Sequence, residues 1–237
     1  MTESAYTTLG DSYDKLISGY PYQKVTEKII SEISGKGFDV GSGSGLITVE
    51  LAKSGISVIG VEKSAEMLEK AVERAKRDKV NPVFVKESAE KIEFTPCNFV
   101  IATCDVLNYL KSKTEFEKFI KKAYAKLKPD GKLIFDIRRA TALQKMNGQV
   151  FYEDRESITY LWLNKLKGDK LIMDITFFKK EQDSYKRSDE RHEFLVLEDD
   201  YVIELLKSVG FTVKTYGDGL GKRKDSDNRL FIFCNKK

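Results

Sequence analysis

Apolar positions along the chain follow two alternating rhythms. A short strand-like segment, Lys36–Val40, is followed by short, largely apolar runs at Ile56–Val61, Pro82–Val85, Phe99–Thr103 and Lys132–Ile137. Between them the apolar residues fall at helical spacing. Residues 46–54 form one such stretch. A second carries the stripe Met67, Leu68, Ala71, Val72 and Ala75, with Ser64 placed to cap it. A third carries Phe116, Phe119, Ile120, Ala123 and Leu127 behind Thr114-x-x-Glu117, the pattern of a capping box. Pro129-Asp-Gly131 ends that helix and turns the chain into the last of these runs. Strands apolar on both faces, separated by amphipathic helices, predict a parallel sheet covered by helices.

The flanking segments differ. Residues 11–34 read as two helical pieces broken at Pro21, with Val25, Ile29, Ile30 and Ile33 on one stripe. Residues 150–197 show no good helical stripe. Tyr160–Leu163 and Leu171–Phe178, joined by Lys167-Gly-Asp-Lys170, read as a hairpin, and a further strand is expected near Glu190–Leu197. Residues 199–209 return to a helix stopped by Gly210, and Phe211–Tyr216 and Leu230–Cys234 close the chain as strands. The pattern predicts one doubly wound α/β domain with an antiparallel excursion inserted late. Its parts are an N-terminal helical lid (1–35), a core (36–140 and 198–237) and a β cap (141–197).

Composition narrows the function. Among 237 residues, 41 basic side chains nearly balance 37 acidic ones, leaving a net charge of +4. This balance disfavours a basic nucleic-acid module or a charge-extended disordered chain. One His and three Cys exclude a zinc-finger array and a disulfide framework, so no metal site is expected. No apolar run approaches the ~20 residues of a membrane span, and no signal-peptide pattern opens the sequence. Odd cysteine usage without C-x-x-C suits a reducing interior, so a cytoplasmic protein is expected.

The chemistry gathers around Asp39-Val-Gly-Ser-Gly-Ser-Gly45, between the first strand and the helix after it. Glycines there let backbone N–H groups approach a ligand. The dinucleotide fingerprint G-x-G-x-x-G fails in both registers, because its sixth position is Leu46 or Thr48. The spacing is G-x-G-x-G preceded by an acid, and Glu62 ends the second strand. A carboxylate at that place can accept both hydroxyls of a ribose. Loop and acid together resemble the class I S-adenosylmethionine-dependent methyltransferases. Ser88-Ala-Glu90 after the third strand, Cys104–Tyr109 after the fourth and Lys128-Pro-Asp-Gly131 before the fifth extend the resemblance.

The resemblance implies a Rossmann-like, mainly parallel seven-stranded sheet with the cap after its fifth strand. It implies S-adenosylmethionine as cofactor. The residues it places around that cofactor are Tyr22, Asp39, Gly41, Ser42, Gly43, Gly45, Leu46, Glu62, Lys63, Met67, Ser88, Ala89, Glu90, Cys104 and Asp105. The family's small-molecule N-methyltransferases carry an antiparallel cap at this position and an N-terminal segment, often bearing Tyr, that folds over the cofactor. Tyr13-Asp14 and Tyr20-Pro-Tyr22 are the counterparts here.

Exclusions shape the acceptor. The Asp/Asn-Pro-Pro-aromatic sequence of adenine-N enzymes is absent after the fourth strand, where the chain reads Cys-Asp-Val-Leu-Asn-Tyr. Pro96-Cys97 precedes that strand, at the opposite end from a cytosine-C5 nucleophile. Only Asp105 lies where protein-arginine methyltransferases carry two acids. The three Cys read as packing residues. A small acceptor, an amine, is expected, with an RNA-modifying enzyme and a non-catalytic nucleotide-binding protein as the other readings. Candidate catalytic groups are Asp105, His192 and Tyr13. Arg138-Arg139 face the mouth as anion-attracting groups or solvated charges, Lys222-Arg-Lys224 reads as a solvated loop, and Trp162 as a packing residue of the cap. Oligomeric state has no signature in the sequence.

Overall fold

The computed structural model describes residues 20–237. Tyr13 and Asp14 lie outside the described residues. Helix α1 (Tyr22–Glu32) starts directly after Pro21, followed by β1 (Lys36–Val40), α2 (Leu46–Lys53), β2 (Ser57–Glu62), α3 (Ala65–Arg77), β3 (Val83–Lys86) and β4 (Cys97–Ala102). A single 3-10 turn (Val106–Tyr109) leads to α4 (Lys113–Lys126) and β5 (Leu127–Arg138). The seven-stranded sheet has the order β3-β2-β1-β4-β5-β11-β10, with β10 (Phe211–Tyr216) and β11 (Arg229–Lys236) following α6 (Asp199–Val209). Strands β1 to β5 pair in parallel, and β11 runs antiparallel to both β5 and β10. This is the doubly wound, mainly parallel sheet that the apolar runs predict.

Alternation along the central strands sends side chains to two cores. Phe99, Ile101 and Ile134 pack with Val25 and Ile29 of α1 and Ile47 and Leu51 of α2. Val100, Ala102, Leu133 and Phe135 pack on the other face with Phe116 and Ile120 of α4 and Val202 and Leu206 of α6. Burying each large side chain contributes roughly 1.5–3 kcal/mol. The sheet is thus double-sided, and only its strand ends are open to a ligand. The described part of segment 1–35 serves as one of the covering helices. The sparse apolar content of β1 has a steric reason at Gly37, where an added Cβ would lie 2.2 Å from the Phe99 carbonyl oxygen.

Three expectations need correction. The capping box of α4 lies two residues earlier than Thr114–Glu117: the Ser112 hydroxyl accepts the Glu115 N–H at 3.2 Å, and Glu115 Oε2 accepts the Lys111 N–H at 2.9 Å. Both sequences satisfy the motif, and the extended backbone of Ser112 decides between them. Pro129-Asp-Gly131 is not a turn ahead of β5. It lies within the strand, beside a register shift against β4 between Cys97 and Phe99. The excursion begins with a short helix, α5 (Ala140–Met146), and holds four strands in the order β6-β7-β8-β9. These are β6 (Val150–Arg155), β7 (Ile158–Lys167), β8 (Lys170–Glu181) and β9 (Ser184–Leu195), all antiparallel. The expected hairpin is β7–β8.

Candidate active site

Strand order reverses between β1 and β4, so the loops after these strands diverge and leave a crevice at their carboxyl ends. The crevice is a cleft of about 180 Å³. Its floor is the glycine loop, where Gly41, Gly43 and Gly45 all have positive φ (71°, 54° and 78°). At Gly41 a Cβ would lie 2.3 Å from Val106, so only glycine lets the β4 loop close down on the β1 loop. The Gly41 and Ser42 N–H groups donate to the Val61 carbonyl at 2.7 and 3.0 Å, tying the loop to β2.

Nearly every residue expected around a cofactor lines this cleft. Asp39 comes from the end of β1, Gly41, Ser42, Gly43 and Leu46 from the loop and α2, and Glu62, Lys63 and Met67 from the end of β2 and α3. Ser88, Ala89 and Glu90 come from the segment after β3, Cys104 from the segment after β4, and Tyr22 from α1. Two expected residues do not line it. Gly45 is the N-cap residue of α2, and Asp105 borders a second chamber.

Glu62 is held by two backbone donors, Gly43 N–H to Oε2 at 3.0 Å and Ser64 N–H to Oε1 at 2.9 Å. Each oxygen keeps a further lone pair for a ligand. Asp39 is buried and accepts the Thr48 hydroxyl at 2.6 Å. Burial, opposed by the Thr48 bond and reinforced by the nearby Glu62 charge, pushes its carboxyl up to about 7.

The second chamber, about 610 Å³, lies between the mouth of the cleft and the cap, and it shares Cys104 and Tyr109 with the cleft. Its walls include Tyr20, Trp162, Met173, His192, Phe194 and Phe231. Arg138 borders it too, whereas Arg139 turns away to Asp199 Oδ2 (2.8 Å) and to carbonyls of the loop before β11. That loop is therefore tied down: its Arg223 also reaches Asp199, at 2.9 Å.

Beneath the chamber is an ionic cluster that local sequence does not reveal. Cys104 and Asp105 both adopt left-handed backbone, φ 63° and 64°. The fully buried Asp136 on β5 accepts both of their N–H groups, at 2.6 and 3.3 Å, and also the Tyr20 hydroxyl at 3.0 Å. Two successive N–H groups cradling a carboxylate offset the cost of that conformation. Arg229, at the start of β11, forks onto Asp105 (2.5 and 2.9 Å) and also bonds Asp136. Burial works against ionisation of Asp105, but Arg229 and Arg138 hold its carboxyl below the usual carboxylate range. Burial, together with the Asp105 charge, raises that of Asp136. Asp105 is therefore an ion-paired anion rather than a free base, and it does not cap the following turn.

His192 projects from β9 into the chamber wall. Its Nδ1 lies 2.9 Å from the Tyr109 hydroxyl and its Nε2 lies 3.1 Å from Glu190 Oε2. Sequence reasoning found His192, but not that Tyr109 and Glu190 bracket it. The i, i+2 spacing of Glu190 and His192 in a strand was the signal that could have found the acid.

A family described as Methyltransferase domain matches residues 38–131. A putative methyltransferase of Bacillus subtilis (strain 168), YqeM, is 32% identical over 214 residues, covering 87% of this chain and 86% of that protein. The chain belongs to the S-adenosylmethionine-dependent methyltransferases. The methyltransferase shares its fold with an S-adenosylmethionine-dependent methyltransferase from Clostridium acetobutylicum ATCC 824. The TM-score is 0.88 at 23% identity, covering 98% of this chain and 99% of that one. It also shares it with CalS10, an amino pentose methyltransferase from Micromonospora echinaspora solved with S-adenosylmethionine bound. There the TM-score is 0.74 at 13% identity, and both chains are covered completely. The cofactor of the methyltransferase is S-adenosylmethionine, and the donor set fits it: a two-oxygen acceptor for a diol, glycine backbone against the cleft and a buried acid beside it. Among the described residues, no helix is long and apolar enough to cross a membrane.

Proposed function

We propose that this methyltransferase methylates a small acceptor, an amine, held in the chamber under the cap. The observation that carries the reading is the joining of cleft and chamber at Cys104 and Tyr109. A chamber of about 610 Å³ is of the size that encloses a small molecule. Its aromatic faces, Tyr20, Tyr109, Tyr160, Trp162 and Phe194 among them, suit a cationic or polar amine. The amino pentose acceptor of CalS10 agrees in kind.

In this reading Glu62 accepts the ribose hydroxyls, the loop from Asp39 to Leu46 carries the methionine part, and Ser88–Glu90 bracket the adenine. Lys63, Met67, Tyr22 and Cys104 complete the enclosure. The bound cofactor supplies an electrophilic methyl group. The chain's work is to hold the acceptor's lone pair in line and exclude water. Residues 36–140 and 198–237 form the core and 141–197 the cap, and Tyr22 of the N-terminal segment lines the cleft. The three cysteines are free, which fits a cytoplasmic enzyme.

The test is calorimetry with S-adenosylhomocysteine, followed by turnover assays with labelled S-adenosylmethionine on amino sugars and amino acids. Tight binding is expected, and Glu62→Ala should weaken it by about 1.5–3 kcal/mol, as for hydrogen bonds to a charged group. Absence of binding would sink the cofactor roles. Turnover on RNA with none on any small amine would sink the acceptor reading.

A further inference from the structure

We infer that Tyr109, His192 and Glu190 form a proton relay that strips the acceptor before methyl transfer, with Tyr109 as the catalytic residue and the other two positioning it. This rests on the small-amine reading above. Tyr109 borders both the cofactor cleft and the acceptor chamber, so this residue stands where donor and acceptor meet. Behind it, its oxygen is 2.9 Å from His192 Nδ1, and His192 Nε2 is 3.1 Å from Glu190 Oε2. His192 and Glu190 are both buried.

The order of donors follows from the end of the chain of contacts. An ionised carboxylate only accepts, so Nε2 must carry the ring hydrogen. In the neutral imidazole the Nδ1 lone pair then accepts the Tyr109 O–H. The three groups repeat the logic of an activated hydroxyl, in which a base is oriented by an acid behind it. The ring of Tyr109 is fixed by Phe194 edge-on at 4.6 Å, and the Lys63 ammonium lies 5.5 Å from its centroid.

The proton balance is complete. An amine arriving as an ammonium ion gives one N–H proton to Tyr109 Oη as the phenol's own proton moves to His192 Nδ1. The freed nitrogen lone pair forms the new N–C bond, while the electron pair of the broken C–S bond stays on sulfur. The imidazolium is held by Glu190 and returns its proton to solvent after the product leaves.

His192 is the only imidazole of the chain, so nitrogen-15 NMR reads it without assignment. In the full chain with S-adenosylhomocysteine at pH 8, the relay requires hydrogen on Nε2 and none on Nδ1. Glu190→Gln should mix the two tautomers, because an amide can donate as well as accept. With an amine that turns over, Tyr109→Phe should lower kcat by about 10²–10⁴-fold while changing KM far less. A hydrogen on Nδ1 in the native protein, in either the neutral or the doubly protonated ring, overturns the relay. So does a Tyr109→Phe enzyme with native kcat. Neither result touches S-adenosylhomocysteine binding or turnover by the native enzyme, on which the acceptor reading stands or falls.

Discussion

Replacing Asp39 by asparagine isolates the energetic consequence of burying an acid beneath the glycine loop. The carboxyl is raised from the usual 3.8 to about 7, by burial first and by the neighbouring Glu62 charge in addition. Between these values the folded protein keeps a proton that the unfolded chain has released. Stability must therefore fall as pH rises through this window and level off above pH 7. The amide keeps the shape of the acid and can still accept the Thr48 hydroxyl, but it has nothing to ionise. From pH 5 to the folded value of about 7 is about two pH units, each worth about 1.4 kcal/mol. Relative to the native protein, Asp39→Asn should thus gain about 3 kcal/mol on going from pH 5 to pH 8. Urea midpoints for both proteins at the two pH values measure it, and titrating groups remote from Asp39 cancel in the difference. A native-minus-variant difference that is the same at both pH values would refute the reasoning. S-Adenosylhomocysteine affinity should move the other way, because the ionised acid is lost.

Two further outcomes are expected. Arg229→Met leaves Asp105 and Asp136 buried without their shared cation and should destabilise the protein by about 3–5 kcal/mol in urea unfolding; a loss below about 1 kcal/mol would mean that the cluster is not ionised as drawn. Burial, with Asp105 beside it, pushes the Cys104 thiol up to about 12, burial raises Cys97 to about 11, and Cys234 is raised likewise. All three thiols should react with a disulfide reagent at pH 8 only after denaturant is added, and a fast-reacting native thiol would contradict this.

What could be read from the residues was whatever one strand or one helix decides by itself. The parallel strands after β1 are largely apolar, and the glycine loop and Glu62 sit one β-α-β unit apart, so fold and cleft follow from local pattern. Cap strand β6 escaped notice because it is an edge strand with mostly exposed side chains, Val150 and Tyr152 among them, and its pattern has no buried face. The box of α4 slipped because Ser112-x-x-Glu115 and Thr114-x-x-Glu117 are equivalent as patterns and differ only in backbone angle. Asp136 and Arg229 were invisible for another reason. Each looks like a stray charge in or beside an apolar run, and each makes sense only through a partner in another part of the chain. The same holds for Tyr109, which meets His192 only because the cap folds back over the fourth-strand loop.

Arg229 also sets an order of events. The Asp105 and Asp136 carboxylates that shape the fourth-strand loop meet their guanidinium partner 124 and 93 residues later in the chain. During synthesis the glycine loop and the first five strands emerge well before that partner does. A nascent chain can therefore assemble its cofactor cleft while, on the acceptor side, Asp136 still lacks its cation and Asp105 has only Arg138. The C-terminal strand then acts as a late fastener, and the acceptor half of the site matures after the cofactor half.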